Sequence, residues 1–256
     1  MITLFSTCKP FTGIYRDIQF NAFRSWAQLK PVPNVVIFGD DEGTKFACET
    51  CGFTHIPKIK SFTFNERYEG EGKKKATKPS IPAMFKVVQE LTDYFDLFVY
   101  VNSDILLTNL ARQMECVAST FKEFLFVGQR YNVDVVGSLD FSKNWIEPLR
   151  KRGKLHPPCG IDYIGFTRGL WKNIPDFSVG YVGFDNYLVH TALERGIPVV
   201  DGTQTTLVFH QNHPLRKRKD AGDQHNLDTW GKNPWEVGGQ ISEATWILNE
   251  GGVWRK

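Results

Sequence analysis

The feature that most constrains this fold is an alternation of short, largely apolar runs with longer amphipathic stretches through the first half of the chain. Ile2–Ser6, Val35–Phe38 and Leu97–Val101 have strand length and little polar character, as expected of strands buried on both faces. Between them, Ile14, Ile18, Phe23 and Trp26 recur at near-helical spacing from Gly13 to Leu29, and Pro31 and Pro33 stop that helix. Thr44–Cys51 reads as a short helix and Thr54–Ile56 as an edge-like strand. Ala83–Tyr94 reads as a helix with Met84, Val87, Val88 and Leu91 on one face. Such alternation predicts an α/β fold, a mostly parallel sheet flanked by helices. Ligands of these sheets bind at the carboxyl ends of the strands. Thr7–Lys9, Asp40-Asp41 and Asn102-Ser103-Asp104 occupy three such ends.

The second half is more irregular. Phe124–Val127, Ile161–Phe166, Pro198–Val200 and Thr205–His210 read as strands, and a helix is expected over Asp185–Arg195. Phe64–Pro82, with Gly70, Gly72 and Lys73-Lys74-Lys75, reads as a polar loop, either solvated or a lid that steers an anion. Arg216-Lys217-Arg218-Lys219 offers the same choice, and a Trp- and Gly-rich tail follows. No linker splits the 256 residues, and a chain this long buries a core without staples.

Thirty-one basic against 28 acidic side chains leave a net charge of +3, too little to demand nucleic acid and equally suited to an anionic small substrate. No apolar run approaches the roughly 18 residues of a membrane helix. The first residues lack a basic region and cleavage pattern, no Asn-x-Ser/Thr acceptor occurs, and the five cysteines are odd in number and irregularly spaced. These features point to reduced thiols and a cytoplasmic setting. Cys48-x-x-Cys51 with His55 lacks the second ligand pair of a zinc site. Phosphate-loop, dinucleotide and nucleophile-elbow motifs are absent from the sequence.

Chemistry concentrates at Asn102-Ser103-Asp104, where an apolar strand runs into a small polar turn and the chain at once becomes apolar again. One carboxylate at a strand end can hold a hard divalent cation while substrate phosphates supply further oxygens. It can equally be a solvated turn acid. Asp185 opens a predicted helix, so it is either an N-cap or a base that deprotonates an attacking hydroxyl. Asp162 is a rival base, an acceptor-binding group or a turn acid. His210 ends a predicted strand, as a metal ligand, a diphosphate contact or a structural histidine. His213 is a weaker candidate.

Val99-Tyr100-Val101-Asn102-Ser103-Asp104-Ile105-Leu106 resembles the Asp-x-Asp region of GT-A-fold glycosyltransferases. Gly183-Phe184-Asp185-Asn186 resembles the segment carrying the base of inverting members. Phe209-His210-Gln211-Asn212-His213 resembles the late histidine that completes the metal site. The resemblance covers about residues 1 to 213. It implies a GT-A-like (Rossmann-like) twisted sheet in one domain over 1–256, with 1–110 as the nucleotide-sugar half and 111–256 as the acceptor half and tail. It implies Mn²⁺ or Mg²⁺ held by Asp104, Asn102 and His210, and a base at Asp185. It also implies a nucleotide-sugar donor, UDP first, and a glycan or glycoconjugate acceptor. The donor would meet Thr7, Lys9, Asp40, Asp41, Ser80, Lys86, Ser103 and Arg130. One departure stands out: Asn102 replaces the first acid and brings no charge. A sugar-phosphate nucleotidyltransferase and a non-catalytic binder of glycan or nucleic acid are the alternatives.

Overall fold

The computed structural model describes residues 2–68, 72–91, 96–214, 218–219 and 221–256. Its core is a nine-stranded sheet in the order Gly252–Arg255, Trp246–Asn249, Val199–Asp201, Leu125–Val127, Tyr163–Thr167, Leu97–Val101, Ile2–Thr7, Asn34–Phe38, Thr54–Ile56. Pairing is parallel except where Tyr163–Thr167 runs against both neighbours and where Gly252–Arg255 closes a hairpin. Thr54–Ile56 forms one edge, and the tail supplies the other.

Period-two alternation explains why both faces are covered. Leu4, Val35, Ile37, Val99 and Val101 point to one core, beneath helices Gly13–Ala27 and Leu110–Ala118. Phe5, Val36, Phe38, Phe98 and Tyr100 point to the other, beneath Ile81–Glu90 and Phe184–Glu194. There the rings lock together. Phe85 stacks on Phe166 with centroids 4.9 Å apart and meets Phe5 edge-on at 5.0 Å, arrangements that aromatic quadrupoles favour.

Strand register brings three polar ends to one rim. Phe5 pairs with Tyr100 and Thr7 with Phe38, so Thr7–Lys9, Gly39–Asp41 and Asn102–Asp104 emerge together. Immediately beyond, the chain changes sheets. Ile105–Leu107 belongs to a four-stranded sheet in the order Lys154–Leu155, Tyr131–Val133, Val208–Gln211, Ile105–Leu107. The turn 102–104 is therefore anchored at both ends by strand pairing.

Buried polar groups tighten that anchorage. The Trp26 indole donates to the Ile105 carbonyl at 2.8 Å, and the Leu107 amide donates to Ser25 Oγ at 3.0 Å. Gln211 is fully buried; its amide donates to the carbonyls of Ile18 (2.8 Å) and Asp104 (3.2 Å), and its oxygen accepts from Asn21 (3.0 Å).

The segment 64–82, expected as a loop, is mostly a hairpin of Ser61–Tyr68 and Gly72–Pro79. Phe62 and Phe64 alternate with Thr63 and Asn65, a strand period masked by the glycines and lysines nearby. The two phenyl rings pack on His225, at 4.8 and 5.3 Å. Residues 69–71, within the expected lid, lie outside the described residues, as do 215–217 and 220 of the second basic run. The expected Ala83–Tyr94 helix is Ile81–Glu90, with 92–95 outside the described residues. The unmatched tail joins the main sheet instead of trailing from it.

Replacing Gln211 with Leu keeps the volume but leaves buried partners unsatisfied, at about 1–3 kcal/mol each. Gln211→Leu is expected to lower unfolding free energy by about 2–4 kcal/mol in denaturant titrations. A loss below roughly 0.5 kcal/mol, the range of neutral surface changes, contradicts the anchoring role.

Candidate active site

Asp104 is carried on the turn between the two sheets. Antiparallel pairing of Val208–Gln211 with Ile105–Leu107 sets His210 opposite Ile105, beside that turn, and His213 follows from the same strand. His213 Nε2 lies 3.2 Å from Asp104 Oδ2, and His210 Nε2 lies 3.7 Å from the same oxygen. One ligating atom from each of the three residues falls within 4.8 Å of the others. Among the described residues, Asp104 Oδ1 and His210 Nδ1 are buried without a hydrogen-bond partner.

Electrostatics prepares the donor atoms. Burial pushes the Asp104 carboxyl up, but the His213 hydrogen bond and the fields of His210, Lys9 and His213 hold it below the ordinary carboxylate range. Burial pushes the His210 imidazole down and, with Arg130 and His213, outweighs the pull of Asp104 and Asp162. An ionised carboxylate and a neutral imidazole are the ligating forms. Two nitrogens and one oxygen suit Mn²⁺ better than Mg²⁺, which demands oxygen ligands.

Asp162 arrives from the other side. Tyr163–Thr167 pairs antiparallel with Leu97–Val101, and the Asn102 amide N–H donates to the Asp162 carbonyl at 3.0 Å. Its carboxylate is fully engaged: Asn102 Nδ2 donates to Oδ1 at 3.0 Å, and Arg130 Nη1 donates to Oδ2. Both side chains are nearly covered, at 16% and 8% exposure. Asn102 Oδ1 in turn accepts from the Tyr100 hydroxyl at 3.0 Å.

Asp185 stands in the first turn of Phe184–Glu194, after Gly183 at φ +98°. Trp230 and Pro234 lie 3.7 and 3.9 Å from where a Cβ on Gly183 would stand, and only glycine adopts that φ freely. Burial pushes the Asp185 carboxyl up to about 6; backbone amides of the helix start oppose the rise and the negative field of Asp162 adds to it. The N-cap position itself belongs to Gly183, so Asp185 stands inside the helix instead of capping it. Burial also raises the Tyr100 hydroxyl, reinforced by Asp104, Asp185 and Asp162. Three acids thus act on one phenol.

The remaining expected residues divide. Lys9 is held by Gln19, which accepts from the Lys9 amide at 2.7 Å and donates to its carbonyl at 2.9 Å. Ser103 Oγ donates to the same Gln19 oxygen at 3.0 Å. The Lys9 ammonium lies over the Tyr15 ring at 4.4 Å, and that ring meets His213 edge-on at 5.3 Å. Thr7 and Asp41 line the rim half-buried, while Asp40 is exposed. Ser80 and Lys86 have partners of their own. Ser80 Oγ caps Ile81–Glu90, accepting from the Ala83 amide at 3.4 Å, and exposed Lys86 faces Glu90 at 4.0 Å. They share a groove of about 550 Å³ with Lys60, Trp171 and Asp176.

Sequence reasoning ranked His213 below His210 and passed over Tyr100, Gln19 and Gln211. The His-x-x-His spacing was a usable signal for the first. Gln19 had a weaker one, a polar residue four positions before Phe23 on the apolar face of its helix.

No protein-family model matches the chain, and no curated protein matches it. Among solved structures it is similar to glucosyl-3-phosphoglycerate synthase of Mycobacterium tuberculosis, at 13% identity and TM-score 0.49, covering 93% of this chain and 81% of that one. The same enzyme in complex with Mn²⁺, UDP and phosphoglyceric acid matches at 14% identity and TM-score 0.47, over 84% and 72%. TarS of S. aureus in complex with UDP matches at 11% identity and TM-score 0.37, over 54% and 38%.

Mn²⁺ is expected to raise the melting temperature more than Mg²⁺ at equal concentration, because a ligand of the native state stabilises by mass action. Asp104→Ala should abolish the Mn²⁺ response and His213→Ala should weaken Mn²⁺ binding at least tenfold by calorimetry. An unchanged response in Asp104→Ala removes that carboxylate from the metal site.

Proposed function

We propose that the chain is a divalent-metal-assisted glycosyltransferase that moves a sugar from a nucleotide-sugar, UDP-linked by preference, to a hydroxyl of a glycan or glycoconjugate. The observation that carries this reading is the Asp104–His210–His213 donor set, with Asp104 and Asp185 both acting on the Tyr100 hydroxyl. The rim formed by Thr7–Lys9 and Asp40-Asp41 receives the nucleoside, in the half of the chain spanning 1–110. Residues 111–256 supply the acceptor side. Five cysteines without a disulfide suit a cytoplasmic setting, and among the described residues no helix is long and apolar enough to cross a membrane.

A metal held by Asp104, His210 and His213 would supply positive charge to the departing nucleoside diphosphate. Asp185 takes the proton of the attacking hydroxyl, since its affinity for a proton is raised toward working pH. Asp162 is a poorer base, because both of its oxygens already accept hydrogen bonds from Asn102 and Arg130. With one base and one displacement, the anomeric centre inverts.

Asp185→Asn is expected to lower kcat by about 10²–10⁴ with donor affinity unchanged. Wild-type kcat should fall with a single proton below about pH 6. The linkage sign is also fixed. A carboxyl raised in the folded state favours folding at low pH, and that contribution disappears as pH climbs to about 6 and beyond. At pH 8, therefore, Asp185→Asn should melt higher than wild type while being inactive. A nucleotide-sugar panel scored by nucleoside diphosphate release tests the reaction. Pyrophosphate release from a nucleoside triphosphate and a sugar phosphate, without transfer from nucleotide-sugars, contradicts it.

A further inference from the structure

Asn102 fills the first position of the three-residue turn, two residues before the proposed metal carboxylate, yet its amide is committed elsewhere. Its oxygen accepts from the Tyr100 hydroxyl, its nitrogen donates to Asp162 Oδ1, and its backbone N–H donates to the Asp162 carbonyl, all at 3.0 Å. Asp162 is thus held twice by one residue. Arg130 grips the second carboxylate oxygen and extends the chain of bonds, its Nε donating to Asn132 Oδ1 at 3.0 Å. Asn132 is the register partner of His210 in the parallel pairing of Tyr131–Val133 with Val208–Gln211. The network therefore runs from the turn after Leu97–Val101 to Tyr131–Val133, the strand beside the one that carries His210.

We propose that Asn102 is a positioning residue and not a metal ligand: an amide brace between Tyr100 and Asp162 that fixes the Asp162–Arg130 pair beside the metal centre. The inference rests on the reading of Asp104, His210 and His213 as that centre. The orientation of the amide follows from its neighbours. A phenol donates on one side and a carboxylate accepts on the other, so only a side chain with an acceptor and a donor on a short stem completes both bonds. A carboxylate at 102 would face the Asp162 carboxylate at about 3 Å, where two like charges do not both persist. An aliphatic side chain would orphan the Tyr100 hydroxyl, whose residue is only 2% exposed. Amide chemistry at this position is thus required by Asp162, independently of any cation.

The test compares wild type, Asn102→Ala, Asn102→Asp and the exchange variant Asn102→Asp/Asp162→Asn, by Mn²⁺ calorimetry and by melting at pH 8. Asn102→Ala should keep Mn²⁺ affinity within threefold of wild type and melt several degrees lower. Asn102→Asp should melt lower still. The exchange variant restores an amide–carboxylate pair with the partners reversed and should melt above Asn102→Asp, a rescue that mere loss of packing would not give. With the donor in hand, Asn102→Ala should reduce kcat at least tenfold at near-constant donor KM. Tenfold weaker Mn²⁺ binding in Asn102→Ala, or tenfold tighter binding in Asn102→Asp, would make residue 102 a ligand and overturn the proposal. Absence of rescue in the exchange variant overturns it as well. Should wild type bind no Mn²⁺, the metal reading fails, and the exchange melting still decides the brace.

Discussion

The chain leaves one sheet and enters another within three residues, and everything at the site depends on that transfer. Leu97–Val101 is clamped between Ile2–Thr7 and Tyr163–Thr167, and Ile105–Leu107 is clamped by Val208–Gln211. The intervening turn has no freedom to slip, because a one-residue shift would reverse every inward side chain on either side. Strand pairing then delivers the partners. The antiparallel neighbour of Leu97–Val101 begins just after Asp162, and the antiparallel neighbour of Ile105–Leu107 carries His210. A carboxylate on such a turn is positioned by the two cores and not by local bonds.

That rigidity permits an uncomfortable charge arrangement. Asp104, Asp162 and Asp185 all act on the Tyr100 hydroxyl, and three like charges acting on one group would repel without compensation. The protein separates their environments. Asp104 is surrounded by imidazoles and Lys9, and stays ionised. Asp162 is neutralised by Arg130. Asp185 receives helix-start amides, insufficient to offset burial and the Asp162 field, so its proton is held to about pH 6. The proposed ligand, the arginine-paired acid and the proposed base are thus three outcomes of one side-chain type in three surroundings.

Much of this was legible in the sequence because apolar periodicity is local. The α/β class, the three rim segments and the helix opening near Asp185 all follow from runs of Val, Ile, Leu and Phe. The hairpin at 61–79 escaped because its glycines and lysines conceal a period-two pattern that only pairing reveals. The tail escaped for a different reason. Trp246–Asn249 pairs with Val199–Asp201 across more than forty residues, and nothing near the tail announces that partner. At the site, Asp104, Asp162 and Asp185 stood out as acids at element ends. The hydrogen bond from the Asn102 amide to Asp162 could not be read locally, since that partner lies sixty residues away. Ser80 illustrates the converse: a serine before a helix is an N-cap by ordinary propensity, and that is what it does.

The central claim is that two imidazoles and one carboxylate of this chain hold one divalent cation. Pulsed electron paramagnetic resonance of Mn²⁺ added to the purified protein reads those nitrogens directly. The account predicts a single high-affinity Mn²⁺ with ¹⁴N couplings from two imidazoles, one of which disappears in His213→Ala. A bound Mn²⁺ spectrum devoid of ¹⁴N coupling, or one unaltered by that substitution, would contradict it.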